Sequence, residues 1–346
     1  MSGTSLDGLD MAYCEFEKKK HWKYKIVYAE TKPYKIEWAK KLKKAFQMNK
    51  NELKKVNGGY GKFIGSEILK FVKRKSISPD FVSSHGHTVF HQPDKKITLQ
   101  IGDGNIISSI CKLPVVCDFR LGDVMLGGQG APLVPIADKL LFSEYGFCLN
   151  LGGFGNISFD NSKRERIAFD ICPVNIVLNA LAKRLGNEFD KGGKIASRGR
   201  IEEKLLKKLN TLAFYKISPP KSLGREWVEK FFYPILNAST SSIQDKLRTV
   251  AEHIALQIAH VVNLNSGIDR PVLLTGGGAY NQFLIERISA HAKCQVILPN
   301  DKIIQFKEAM VFAFLGVLKI RREINILKSV TGATRNSSGG RIYQPS

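Results

Sequence analysis

Three glycine turns carry most of the chemistry that this sequence can do. Met1-Ser2-Gly3-Thr4-Ser5-Leu6-Asp7-Gly8-Leu9-Asp10 opens the chain. Its glycines let the backbone turn tightly and bring N–H groups up to an anion. Thr4 and Ser5 can donate to phosphate oxygens, and Asp7 or Asp10 can hold a magnesium-bound water. The competing reading of this segment is a flexible Ser/Gly-rich terminus. Leu149-Asn150-Leu151-Gly152-Gly153-Phe154-Gly155-Asn156-Ile157 is a second turn, between two strand-like stretches. Glycine serves there either an approaching ligand or a plain hairpin. In Leu273-Leu274-Thr275-Gly276-Gly277-Gly278-Ala279-Tyr280-Asn281 a buried strand runs into glycines and then a helix. That geometry suits anions and flat nucleotide groups, although close helix–strand packing also asks for glycine. Neither GxGxxG nor GxxxxGK[ST] occurs.

Other side chains invite narrower readings. Asp118, Arg120 and Asp123 precede the glycine run 127–130. An Arg fork binds a carboxylate bidentately, and a surface ion pair is the alternative. His85, His87 and His91 have spacing that suggests zinc, but no companion cluster supplies a fourth ligand, so hydrogen bonding is the better reading. Asp170 precedes Pro173, and a proline at the first turn of a helix makes it a candidate N-cap.

The elements that position these residues follow from apolar periodicity. Residues 24–29 read as a strand. Trp38, Leu42 and Phe46 give one face of a helix, and Phe63, Ile68 and Phe71 a second over 60–74. Strands are expected at 80–84, 97–101 and 114–118. A hairpin is expected over 147–151 and 157–159, with a third strand at 166–170. Helices are expected at 174–186, 243–264, 280–292 and 306–320, with short strands at 271–275 and 295–298. The pattern restarts after residue 130, so two architecturally similar halves are expected, 1–131 and 132–346.

The chain has 346 residues, 43% hydrophobic and 24% charged, an ordinary soluble composition with room for two cores. No apolar stretch is long enough to span a bilayer, and no basic-then-apolar leader is present. The six cysteines form no CxxC pair, which points to reduced thiols in the cytoplasm. The net charge of +22 is the outlier. Its lysines crowd residues 18–75 between apolar helix positions and lack aromatic interleaving. A solvated basic surface is expected, with no nucleic-acid or membrane partner.

Glycine loops in two similar halves are the layout of the actin–hexokinase–Hsp70 superfamily, and the resemblance becomes specific in ordered segments. These are Met1–Gly8, Ser84-His85-Gly86-His87-Thr88-Val89, Leu99-Gln100-Ile101-Gly102-Asp103, Asp118-Phe119-Arg120 and Gly127-Gly128-Gln129-Gly130-Ala131-Pro132-Leu133. Leu151-Gly152-Gly153 with Asn156-Ile157, Phe169-Asp170, Pro219-Pro220-Lys221-Ser222-Leu223-Gly224-Arg225-Glu226 and Gly276-Gly277-Gly278-Ala279 continue it. Over nearly its full length the chain resembles the anhydro-N-acetylmuramic acid kinases.

The resemblance implies an α/β fold of two RNase H-like, actin-like ATPase domains facing each other across a nucleotide and substrate cleft. It implies an ATP- and magnesium-dependent transferase of peptidoglycan recycling. Such a kinase opens the 1,6-anhydro ring and phosphorylates the 6-oxygen, giving N-acetylmuramic acid 6-phosphate and ADP. Carried over, Asp170 is the catalytic base. Gly3, Thr4, Ser5, Leu6, Asp7, Gly8, Leu9, Asp10, Gly152, Gly153, Asn156, Gly276, Gly277 and Gly278 bind ATP. His85, Asp118, Arg120, Gln129 and Asn175 bind the sugar, with Arg120 on its lactyl carboxylate. Magnesium ligands are not assigned, and a homodimer is possible. The alternatives are a same-fold kinase acting on another amino sugar, or a nucleotide-dependent binding module.

Two departures stand out. The family has Gln at His87, and Thr-Gly-Pro-Gly-Asn where this chain reads Ile171-Cys172-Pro173-Val174-Asn175. Losing two glycines closes any φ > 0 path there. A strand is also expected before the first phosphate loop, which would place the translational start upstream of Met1.

Overall fold

Alternating side chains from Gly8 to Pro33 build an antiparallel hairpin in the computed structural model, which describes residues 1–3, 6–265 and 270–345. Its strands, β1 (Gly8–Lys18) and β2 (Trp22–Pro33), pair from Gly8↔Pro33 to Lys18↔Trp22, with a bulge at Tyr13/Cys14. β1 was not anticipated and β2 is longer than 24–29, because charged residues on the outward face dilute the alternation. Thr4 and Ser5 lie outside the described residues.

The chain packs as two units, Met1–Leu141 with Phe306–Ser346, and Phe142–Gln305. The division at 131/132 follows chain order, whereas packing groups residues 306–346 with the first unit. In that unit, helices Ile36–Lys44 and Lys50–Lys75 follow the hairpin. Phe46 lies beyond the first helix and is exposed, so the expected apolar face ends at Leu42, which is buried. The second helix begins ten residues before the expected 60. Asn49 caps it in a reciprocal box with Glu52. It keeps Gly61 and Gly65 where an added Cβ would press on Asp103 and Ile110, so close packing outweighs glycine's poor helix propensity.

Short strands follow: β3 (Val82–Ser83), β4 (His87–Gln92), β5 (Ile97–Ile101) and β6 (Val115–Cys117). β4 pairs with β5, and β3 lies parallel to β6. Lys40, Lys41, Lys43, Lys44, Lys54 and Lys55 are exposed.

The second unit is a sheet of β7 (Phe147–Leu151), β8 (Phe154–Asp160), β9 (Arg166–Pro173), β10 (Val272–Thr275) and β11 (Val296–Ile297), in the order β11-β10-β7-β8-β9. β7, β8 and β9 are antiparallel, while β10 runs parallel to β7 and β11. Buried Phe147 and Leu149 from the sheet meet Ile254 and Ile258 of helix Ile243–Leu264 in one core. Pro173 does not open a helix. It is the last residue of β9, an edge strand, where a missing N–H costs no ladder bond. Helix Asn175–Lys183 starts two residues later. Helix Gln282–His291 is shorter than the expected 280–292, and Asp301–Ile320 is longer than 306–320. Its later residues return the chain to the first unit, where β12 (Arg341–Tyr343) pairs antiparallel with β6. The cysteines are free thiols. No described helix is long and apolar enough to cross a membrane.

Candidate active site

In the second unit the strand register gathers polar side chains into a row. Thr275 faces Asn150, Asn150 faces Asn156, and Asn156 faces Asp170. Residues directly opposite on neighbouring strands project from the same face, so the row crosses β10, β7, β8 and β9. A bulge opposite Gly155/Asn156 skips Ile171 and brings Asp170 into line. Sequence reasoning named Asn156 and Asp170 but missed Asn150, whose partner only the register reveals.

Asp170 is half-buried, and desolvation raises its pKa above the ordinary aspartate value. The N–H of Leu223, donating to Oδ2 at 2.8 Å, opposes that rise. The Asp170 N–H donates to the carbonyl of Lys221 at 3.1 Å, so the segment after Pro219-Pro220 clasps this strand on both sides of the carboxylate. Lys221 itself lies over the rings of Phe214 and Phe169 and donates to the Phe214 carbonyl. The N-cap reading of Asp170 fails: Val174 occupies that position and no side chain caps the helix.

The second glycine turn is bound to the next helix by main-chain atoms. The N–H groups of Val174 and Ile176 donate to the Gly153 carbonyl, and that of Asn175 to the Gly152 carbonyl. The Asn175 amide donates to the Leu151 carbonyl at 3.0 Å. Ile171, Cys172 and Val174 are 2%, 0% and 0% exposed, which makes them core residues rather than ligands. No residue from 171 to 175 has a positive φ, so this stretch calls for no left-handed glycine.

The third turn docks on the second. Gly276 has φ +85°, and a Cβ there would lie 2.5 Å from Asn150 Oδ1 and 2.9 Å from the Leu151 backbone. A Cβ on Gly278 would lie 2.6 Å from Leu151 Cβ. Only glycine permits both the conformation and the approach. Asn281 then caps helix Gln282–His291 through the Leu284 N–H.

The first unit holds the opening loop and the remaining candidates. Leu6 has φ +57°, and Gly8 sits so near Lys32 that a Cβ would lie 2.6 Å from its carbonyl oxygen. Asp10 accepts from Thr31 Oγ1 at 2.6 Å. Burial raises the Asp10 pKa, the Thr31 bond and the Met1 ammonium lower it, and Asp7 raises it further. A cation near these two carboxylates would relieve their repulsion. Gly3 precedes them in the chain, and Leu9, 3% exposed, lies between them.

His85 is buried and neutral. Desolvation, then the adjacent Arg120 charge, hold its pKa well below the ordinary histidine value. Arg120 Nε donates to His85 Nε2 at 3.0 Å, which leaves Nδ1–H to donate to the Gly86 carbonyl at 3.2 Å. Arg120 Nη1 donates to the Gly130 carbonyl at 2.7 Å, so Nη2 and the second Nη1 hydrogen remain for a ligand carboxylate. Glu308, missed by sequence reasoning, shares this neighbourhood. Solvent reaches its side chain, yet desolvation raises its carboxyl against the Met1 ammonium and Arg120.

Asp118 has φ +59° and accepts from the Tyr343 hydroxyl at 2.7 Å, so its carboxylate is engaged. Fully buried Asp123 is a brace, accepting from the Gly130 N–H and from Thr331. Gln129 is exposed and anchored through its N–H to the Thr331 carbonyl. The histidines diverge: His85 meets Arg120, His87 meets Ser2, and His91 meets Thr98. Among the described residues no cluster of three or more His, Cys, Asp or Glu can hold a metal ion.

The family model for Anhydro-N-acetylmuramic acid kinase matches residues 1–345. A protein of that name from Caldanaerobacter subterraneus subsp. tengcongensis is 33% identical, over 99% of this chain and 95% of its own. Those from Coxiella burnetii and Vibrio parahaemolyticus are 32% and 33% identical, over 99% of this chain and 96% of theirs.

Proposed function

Because the chain belongs to the anhydro-N-acetylmuramic acid kinase family, we propose that Asp170, at the end of the polar row, is the base that activates water. It is an ATP-dependent phosphotransferase acting on anhydro-N-acetylmuramic acid. The water oxygen bonds to the anomeric carbon as its bond to the 6-oxygen breaks, and Asp170 takes the water proton. The 6-oxygen bonds to the γ-phosphorus of ATP and ADP leaves. N-Acetylmuramic acid 6-phosphate is the product, which places the enzyme in peptidoglycan recycling.

The observation that carries this reading is the environment of Asp170. A carboxylate with a raised pKa is a stronger base than one in water, and a rigid strand aims it. The Leu223 N–H opposes that rise by donating to the carboxylate.

Each remaining group has a physical task. The glycine turns at 152–153 and 276–278 accept phosphates and nucleoside, with Asn156 beside them. The opening loop from Gly3 to Asp10, including Thr4 and Ser5, takes the transferred phosphate. Magnesium neutralises charge on the phosphates, and Asp7 and Asp10 offer the hard oxygens it prefers. Arg120, oriented by neutral His85, takes the lactyl carboxylate, with Asp118 and Gln129 close to it in the chain, and Asn175 belongs to the same sugar-binding set. In this reading each of the two units is an RNase H-like domain. The use of ATP and the free thiols support a cytoplasmic setting.

The test is a product assay with ATP, magnesium and anhydro-N-acetylmuramic acid, followed by mass analysis. Uptake of both water and phosphate is expected. Faster phosphorylation of ordinary N-acetyl hexosamines would transfer the assignment to another amino sugar.

A further inference from the structure

Asp170 is held from one side by a strap, residues 218–223, that has few ties of its own. Pro219 and Pro220 have no N–H to give. Among the described residues, two hydrogen bonds of the strap end on Asp170: the Lys221 carbonyl accepts from its N–H, and the Leu223 N–H donates to its Oδ2. The remaining one fastens the strap elsewhere. It runs from Lys221 Nζ to the Phe214 carbonyl at 3.2 Å.

That carbonyl belongs to a firmly held turn, Ala213–Lys216, in which Phe214 is buried. The neighbouring Tyr215 hydroxyl lies 2.8 Å from Nε2 of fully buried His253, whose Nδ1 lies 2.6 Å from Asn210 Oδ1. An amide oxygen only accepts, so Nδ1 carries the His253 proton and Nε2 accepts from the Tyr215 hydroxyl. Burial lowers the His253 pKa to about 3, which keeps the ring neutral and this arrangement single. The turn is thereby anchored to helix Ile243–Leu264. The Lys221 ammonium also lies 4.6 Å from the ring centroid of Phe214 and 5.9 Å from that of Phe169, so the aromatic faces hold it as well.

Lys221 reaches Asp170 through position rather than through charge. Burial and the Leu223 N–H are what move the Asp170 carboxyl, whereas the Lys221 ammonium acts on Cys172. Burial pushes the Cys172 thiol and the Tyr215 hydroxyl up, so both stay neutral beside it. Asn156, opposite Asp170 on β8, does not titrate.

We propose that Lys221 is a positioning residue: its ammonium fixes the 218–223 strap to the Phe214 carbonyl and so keeps the Leu223 N–H on Asp170 Oδ2. The inference rests on Asp170 being the base. Without Nζ the strap hangs only from the residue whose carboxylate it holds, and the Leu223 N–H turns to water.

The experiment compares the wild type with Lys221→Met, which keeps the stem against the rings but removes donor and charge, and with Lys221→Arg, which keeps both. Hydrogen exchange at the Leu223 amide is read together with the pH profile of kcat/KM for anhydro-N-acetylmuramic acid. In Lys221→Met the amide is expected to exchange at least about tenfold faster. The acid limb is expected to move up by about one pH unit, the scale of one hydrogen bond to a charged group. Lys221→Arg is expected to return both to wild-type values. Unchanged Leu223 exchange in Lys221→Met overturns the proposal, whether the limb moves or not. A raised KM with limb and exchange unmoved also overturns it, making Lys221 a substrate contact. Faster exchange with an unmoved limb supports the positioning and counts against Asp170 as the base, so the two failures are distinguishable. If Lys221→Met does not fold, Lys221→Gln, one atom shorter, is read in the same way.

Discussion

The N–H of Leu223 donates to Asp170 Oδ2 at 2.8 Å, so a main-chain group, not a charged side chain, opposes the rise that burial imposes on the carboxyl pKa. Burial raises the Asp170 pKa and this bond holds it back. The acid limb of kcat/KM is expected at a pH above the ordinary aspartate value of about 3.9, with activity lost as pH falls through it. A limb at or below that value would contradict the assignment.

Asp170→Asn removes the base and is expected to lower kcat by roughly 10²–10⁴-fold. Stability moves the other way. A carboxyl whose folded pKa is raised contributes stability below its unfolded pKa, and that contribution is lost as pH rises through the folded pKa. The variant should therefore melt at or above the wild-type temperature at pH 7. A large drop in melting temperature would recast Asp170 as structural.

Arg120→Lys keeps a charge but loses Nε and the planar fork. The KM for the anhydro sugar is expected to rise by about 10–100-fold, the scale of a charge-assisted hydrogen bond, while the KM for ATP stays put. Parallel increases in both constants would argue against a sugar-side role.

Gly276→Ala places a Cβ against Asn150 and Leu151 in a backbone with φ +85°. Strain of order 1–3 kcal/mol is expected to appear as weaker ATP binding, measured by titration, and a lower melting temperature. Gly277→Ala, whose added Cβ meets nothing nearer than Asn175 Nδ2 at 3.8 Å, is the strain control, expected to leave the melting temperature unchanged.

Arg287→Ala strips a bidentate partner from Glu252, whose side chain is 5% exposed. Burial would raise the Glu252 pKa, but hydrogen bonds from Arg287 and His291 outweigh it and the net shift is downward. The wild-type pair thus stabilises above the unfolded carboxyl pKa, and this is lost as pH falls through the folded one. A loss of about 3 kcal/mol is expected in urea unfolding at pH 7, shrinking toward pH 4.

The glycine turns at 152–153 and 276–278 were legible because glycine is a local signal, and the strands leading into them are short apolar runs. Asn150 was not, since its membership of the row depends on pairing with Asn156, which the sequence does not record. Glu308 escaped notice for a similar reason: it lies far along the chain from Arg120 and Met1. Leu223 contributes an N–H that every residue but proline possesses. Pro173 misled because a proline before a helix and a proline ending an edge strand look alike in sequence. The helix over residues 50–75 was cut short at its glycines, whose task is contact with the neighbouring helix.

The bonds from Val174, Asn175 and Ile176 to the Gly152 and Gly153 carbonyls involve main-chain atoms alone. Such a clasp is indifferent to what side chains its residues carry. Positions 172 and 174, where the family pattern has glycine, can therefore carry the Cys and Val that fill the interior. Substitution there is absorbed as packing, while the main-chain bonds that tie the glycine turn to the helix stay as they are.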